Sequence, residues 1–200
     1  MQASSKENIL RKIRKALISK QPEIHPGLDF KSNVYNLPHS DGESLDVLFA
    51  EQLTEASGNF IYCENEMEFI NNLNTLIQQK KRKNLFCVDK NIISLLHKQG
   101  IPFLCEESEM DKMEAGVTAC EYLIARTGSV MISSAQTGGR RLAVFPPVHI
   151  ILAFTSQLVV HVRDALEAIK EKYGSKLPSM ITTITGPSRT ADIEKTLILG

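Results

Sequence analysis

The sequence predicts an α/β fold whose sheet is mostly parallel and covered by helices on both faces, with an antiparallel portion in the second half. Three observations predict it. The first half alternates segments of helical periodicity with strands of about five residues. The second half joins short apolar runs through glycine-bearing turns too tight to hold helices. The composition, 42% hydrophobic and 23% charged with 11 Gly and 8 Pro in 200 residues, is that of an ordinary globular chain.

Taken in order, Ser4 to Ile18 sets Ile9, Leu10, Ile13, Ala16 and Leu17 on one side of a helix, with Lys6, Arg11, Lys12, Arg14 and Lys15 around the rest. Residues 21–44 carry Pro22, Pro26, Gly27, Pro38 and Gly42 without sustained period. They read as an extended arm, so residues 1–41 are expected to form a helix and arm, and residues 42–200 the α/β domain. Leu45, Leu48, Phe49 and Leu53 predict a helix ending near Gly58, and Phe60 to Cys63 a short buried strand. A helix over Asn65 to Gln79 follows, with strand Asn84 to Val88, helix Asn91 to Lys98 closed by Gly100, and strand Ile101 to Leu104. Tyr122 to Ala125, Val130 to Ser133 and Leu142 to Phe145 read as antiparallel strands. Val148 to Phe154 reads as a strand, Val160 to Lys172 as a helix capped near Gly174, Met180 to Ile184 as a strand, and Ala191 to Leu199 as a helix.

Lys plus Arg and Asp plus Glu both total 23, so there is no global field to draw nucleic acid or an anionic membrane. No apolar run reaches the roughly 18 residues of a membrane span, and the N-terminus lacks the apolar core of a secretory signal. A cytoplasmic protein is expected, and homo-oligomer formation is compatible with the sequence. Cys63, Cys87, Cys105 and Cys120 form no metal-like spacing, so buried thiols are expected and no metal or cofactor. The run Lys80 to Lys83 follows a predicted helix, where cations complement the dipole.

Four segments combine turn glycines with polar side chains. Ala125 to Ser129 is either a hairpin turn or a turn that aims Thr127 and Ser129 into a cleft, with Gly128 supplying the positive φ. Gln136 to Arg141 pairs Gly138 and Gly139, which permit close backbone approach, with Arg140 and Arg141, forks for a carboxylate or phosphate; a solvated loop is the alternative. Phe145 to His149 places an imidazole behind two prolines, as a core histidine or as a proton acceptor. Thr185 to Glu194 is expected to follow a strand and open a helix. The amides after Gly186 with Ser188, Arg189, Thr190 and Asp192 would then cradle an anion at the helix N-terminus, or simply cap that helix. Dinucleotide, P-loop and nucleophile-elbow motifs do not occur.

The blocks AGVTACEYLIARTGSVMIS, GGRRLAVFPPVHI and TGPSRTADIEKTLILG are similar, in type and order, to the signature blocks of the LUD (lactate-utilisation) domain family, lactate utilisation protein C type. They cover about the last 90 residues. The resemblance implies a three-layer, Rossmann-like sheet of the NagB/RpiA/CoA-transferase type. It implies a component of an L-lactate to pyruvate oxidation system that binds a small anionic metabolite and acts with iron–sulfur partner proteins. The motif residues carried over are Thr118, Glu121, Thr127, Gly128, Arg140, Pro146, Pro147, His149, Gly186, Ser188, Arg189, Thr190, Asp192 and Glu194. A free-standing isomerase, CoA-transferase or cyclo-ligase with His149 or Glu121 as general base is the alternative, and a scaffolding module a third. Arg126 stands where the family has an acidic residue, Ala119 where it has glycine and Glu121 where it has Asp. The family chain continues beyond LILG whereas this sequence stops at Gly200, so an unpaired edge or docking place is expected there.

Overall fold

A computed structural model describes residues 5–18, 44–79, 84–136, 138, 140–187, 189–191 and 197–199. The chain divides into two units, Met1–Asn36 and Leu37–Gly200. The first contributes one described helix, α1 (Ser5–Ile18).

The second unit is α/β, with parallel and antiparallel strands as expected. Helices α2 (Leu45–Glu55), α3 (Glu66–Gln79), α4 (Lys90–Lys98) and α5 (Val162–Tyr173) surround two sheets. In the first sheet β2 (Ala115–Ala119) lies between β1 (Leu85–Phe86) and β5 (His149–Leu152), all parallel, and Leu104 adds a parallel bridge to Phe86. In the second the order is β6 (Leu158–Val159), β3 (Tyr122–Ile124), β4 (Ser129–Ser133), β7 (Ile181–Ile184). There β3–β6 is parallel while β3–β4 and β4–β7 are antiparallel.

Strand alternation sorts the core into layers. Leu123, Val130 and Ile132 face α2 through Leu48 and Phe49, while Ile124 and Met131 face α5 through Ala165 and Ile169. The second sheet is thus the middle of a helix–sheet–helix sandwich, and fully burying Leu48 or Phe49 is worth roughly 1.5–3 kcal/mol each. In the first sheet Ala115 and Val117, with Ile150 and Leu152 beside them, pack on Ile70 and Leu73 of α3 and Ile92 and Leu96 of α4. The alternate residues Gly116, Thr118 and His149 therefore turn to the opposite face. Asp89 caps α4, its carboxylate accepting from the amides of Asn91 and Ile92.

Four expectations are corrected. Phe60 to Cys63 is not a strand: it belongs to no ladder among the described residues, and Phe60 instead packs edge-on against Phe49 at 5.8 Å. Leu142 to Phe145 is a run of turns closed by Phe145 N donating to Arg141 O, because Leu142 is drawn inward beneath Gly138 and Gly116. The two ends of the expected helix Ala191 to Leu199 are strands, β8 (Arg189–Ala191) pairing antiparallel with β9 (Leu197–Leu199), and residues 192–196 lie outside the described residues. The expected strand Ile101 to Leu104 is reduced to the single bridge at Leu104. Strands β2 and β6 were not anticipated, although β2 is the middle strand of its sheet.

Candidate functional site

The turn after β3 brings the first motif to the C-terminal end of α2. Gly128 has φ +56, and a Cβ there would stand 2.1 Å from the backbone nitrogen of Leu53. Gly186 has φ +66, and its Cβ would meet the carbonyl oxygen of Ala56 at 2.1 Å. Only glycine fits either contact, in conformation and in space. Two motifs some 60 residues apart in sequence therefore converge on one helix end.

Between them runs a row of hydroxyls. Thr127 Oγ1 lies 2.7 Å from Ser129 Oγ, which lies 2.6 Å from Thr185 Oγ1. Ser129 is buried, whereas Thr127 and Thr185 line a shallow open depression of ≈ 440 Å³ with Gln52, Glu55, Ala56 and Arg126. When protons run along the row, one terminal threonine keeps a hydroxyl proton for an outside acceptor. Arg126 adds a guanidinium to the same rim. Gln52 and Glu55 were not singled out from the sequence, and Thr185 only as the first residue of the Thr185 to Glu194 segment. Neither glutamine nor glutamate at a helix end carries a local signal that it will meet a turn from the other half of the chain.

The remaining residues lie elsewhere. His149 Nε2 is 2.7 Å from Thr118 Oγ1, and its buried Nδ1 has no hydrogen-bond partner among the described residues. Burial pushes the imidazole below its ordinary value, so the ring is neutral at pH 7. Glu121 stands immediately before β3, and its side chain is fully buried. Its Oε1 accepts from Ser133 Oγ at 2.6 Å and Tyr173 OH at 2.7 Å, and its Oε2 from Lys172 Nζ at 2.8 Å. Burial alone would raise this carboxyl. The hydrogen bonds from Lys172, Ser133 and Tyr173, with the lysine charge, outweigh it and hold the group below its ordinary value. A carboxylate so occupied is a weak proton acceptor. It is a pin that ties the end of α5 to the β3–β4 hairpin.

Gly138 has φ +93 and abuts Leu142 and Val88. Arg140 donates to Ser179 Oγ at 2.8 Å, and Arg141 pairs with Glu107. Gly138, Arg140 and His149 are not among the residues that line the depression at the end of α2. The expected helix N-terminus after Gly186 is replaced by strand β8, so no helix dipole serves an anion there. The side chains of Arg189 and Thr190, together with Ser188, Asp192, Glu194 and Gly139, lie outside the described residues.

Burial pushes the Cys87 thiol up to about 11 and the Cys120 thiol up to about 12, so both are protonated at pH 7. Among the described residues no group of three or more His, Cys, Asp or Glu could hold a metal ion, and no helix is long and apolar enough to cross a membrane.

The sequence profile of the LUD domain matches residues 91–200, more than half of the chain. The chain belongs to the LUD domain family. Within it, a Bacillus licheniformis relative named lactate utilization protein C is 35% identical over 92 residues, covering 45% of this chain and 38% of the relative. This LUD chain thus matches well under half the length of that relative. An uncharacterised protein of Neisseria meningitidis is 27% identical over 209 residues, covering 98% of this chain and 88% of its own length. Among solved structures, a DUF162 family protein of Deinococcus radiodurans shares the LUD fold with a TM-score of 0.59 at 21% identity, over 71% of this chain and 87% of that one.

Proposed function

We propose that this chain serves in lactate utilisation, as a component of an L-lactate to pyruvate oxidation system that acts with iron–sulfur proteins and carries no redox centre of its own. It holds a small carboxylate anion in the depression at the end of α2. The observation that carries the binding role is the convergence of Thr127, Gly128 and Gly186 beside Arg126 and Thr185. A guanidinium and the one threonine hydroxyl left to donate suit a carboxylate, which only accepts. The likeness to proteins named for lactate utilisation, over the part of the chain that bears these residues, supports the metabolic role.

The test pairs a deletion of the gene with growth on L-lactate and a thermal-shift assay of the purified chain. Growth is expected to fail on L-lactate and persist on glucose. L-lactate or pyruvate is expected to raise the melting temperature of the wild type and not of Arg126→Ala. Normal growth of the deletion strain on L-lactate removes the metabolic role, and a chain unmoved by either anion removes the site.

A second reading rests on the unpartnered Nδ1 of His149. A neutral imidazole fixed by Thr118 has the protonation state of a general base, so the chain would be an enzyme in its own right. Turnover by the purified chain alone, abolished in His149→Ala, distinguishes this reading; no turnover by the chain alone counts against it.

A further inference from the structure

We propose that α1 docks on an anionic lipid surface. Overall neutrality conceals a segregation of charge: α1 holds five of the chain's 23 basic residues and one of its 23 acidic ones. The helix therefore carries +4, and the remainder, 18 basic against 22 acidic residues, carries −4. An anionic surface attracts the helix more than the net-acidic remainder, and the other basic run, Lys80 to Lys83, holds no apolar residue to insert beside its charges.

The geometry of α1 fits the plane of a membrane. Ile9, Leu10 and Ile13 form its apolar side and remain 58%, 38% and 50% exposed. At 100° per residue Lys12 falls on one border of that side and Arg14 on the other, with Arg11 and Lys15 across the back and Lys6 in line with the apolar side at its N-terminal end. Long basic stems on both borders can lie along the acyl boundary while their charges reach the headgroups. Its 14 residues span roughly 21 Å, too short to cross a bilayer, so the helix lies on the surface.

The test is co-sedimentation of the full chain with phosphatidylcholine vesicles, with and without phosphatidylglycerol. Binding is expected only to the anionic vesicles, with release at 1 M salt, where the screening length falls to about 3 Å. The double variant Lys12→Glu, Arg14→Glu keeps helix-forming residues and should bind roughly ten-fold more weakly or worse. The variant Ile9→Ser, Ile13→Ser should lose binding with its thermal unfolding unchanged. Absence of binding to anionic vesicles, equal binding to neutral ones, or binding that survives the charge reversal overturns the proposal. A dimer in light scattering that dissociates with the Ile9→Ser, Ile13→Ser variant, without vesicle binding, overturns it too and assigns the apolar side to a second copy.

Discussion

Glu121 keeps its charge in the interior because three donors, one of them a cation, meet its two oxygens. Its folded pKa lies below the ordinary carboxyl value. The ionised form therefore stabilises the fold above the unfolded value, and that contribution is lost as pH falls through the folded one. Lys172→Met removes the cation and its hydrogen bond, so the folded value of the carboxyl rises and the stabilisation supplied by its ionisation shrinks. As pH falls below about 4.3, the ordinary Glu value, the melting temperature of the wild type should therefore drop more steeply than that of the variant, which should be less stable by about 1–3 kcal/mol at neutral pH. Parallel pH profiles in thermal unfolding check this, and a variant profile as steep as the wild type's contradicts it. For His149 the folded pKa is likewise depressed, so its neutral form stabilises above the ordinary imidazole value and is lost on acidification. Thr118→Val removes its described partner and should cost about 1–3 kcal/mol in denaturant unfolding.

At the scale of elements, α2 is the part on which two glycine turns close. A methyl at Gly128 or Gly186 must push α2 backbone aside as well as adopt positive φ, so Gly128→Ala and Gly186→Ala should each cost about 2–5 kcal/mol. Gly100 also has positive φ, +66, but faces open space, and Gly100→Ala should cost only about 1–2 kcal/mol. Equal costs at all three positions, measured by chemical denaturation, would contradict the assigned contacts. The helices were plain in the sequence because each buries one stripe: Ile70 and Leu73 of α3, or Ile92 and Leu96 of α4, recur at helical spacing. Strand β2 was hidden because Ala115-Gly116-Val117-Thr118-Ala119 has small residues where strands usually carry branched ones. Their smallness is required, since a Cβ at Gly116 would stand 2.7 Å from the Pro146 ring. The β8–β9 pair reads as a helix in sequence because charges spaced through Asp192 to Lys195 resemble a capped first turn. Within the site, Thr127, Gly128 and Gly186 were legible as turn residues. Their common seat on α2 was not, because convergence of distant turns leaves no mark in local periodicity.

For the whole molecule, membership in the LUD domain family and the layered α/β architecture agree, and the site residues proposed for the ligand lie inside the matched region except for those from α2. Gln52 and Glu55 would then tune a site otherwise supplied by the C-terminal half. Gln52→Ala should weaken anion binding without abolishing it, whereas Glu55→Gln should strengthen it several-fold by removing a like charge, about 1 kcal/mol in effect. Titration calorimetry with pyruvate reads both directions, and weaker binding by Glu55→Gln would count against a carboxylate in that depression. The most direct measurement of the central claim is a methyl NMR titration of threonine-labelled protein with L-lactate and with pyruvate. Saturable shifts of the Thr127 and Thr185 methyls, absent in Arg126→Ala and leaving Thr118 unmoved, are the predicted result. Unchanged spectra, or shifts confined to Thr118 beside His149, would contradict it.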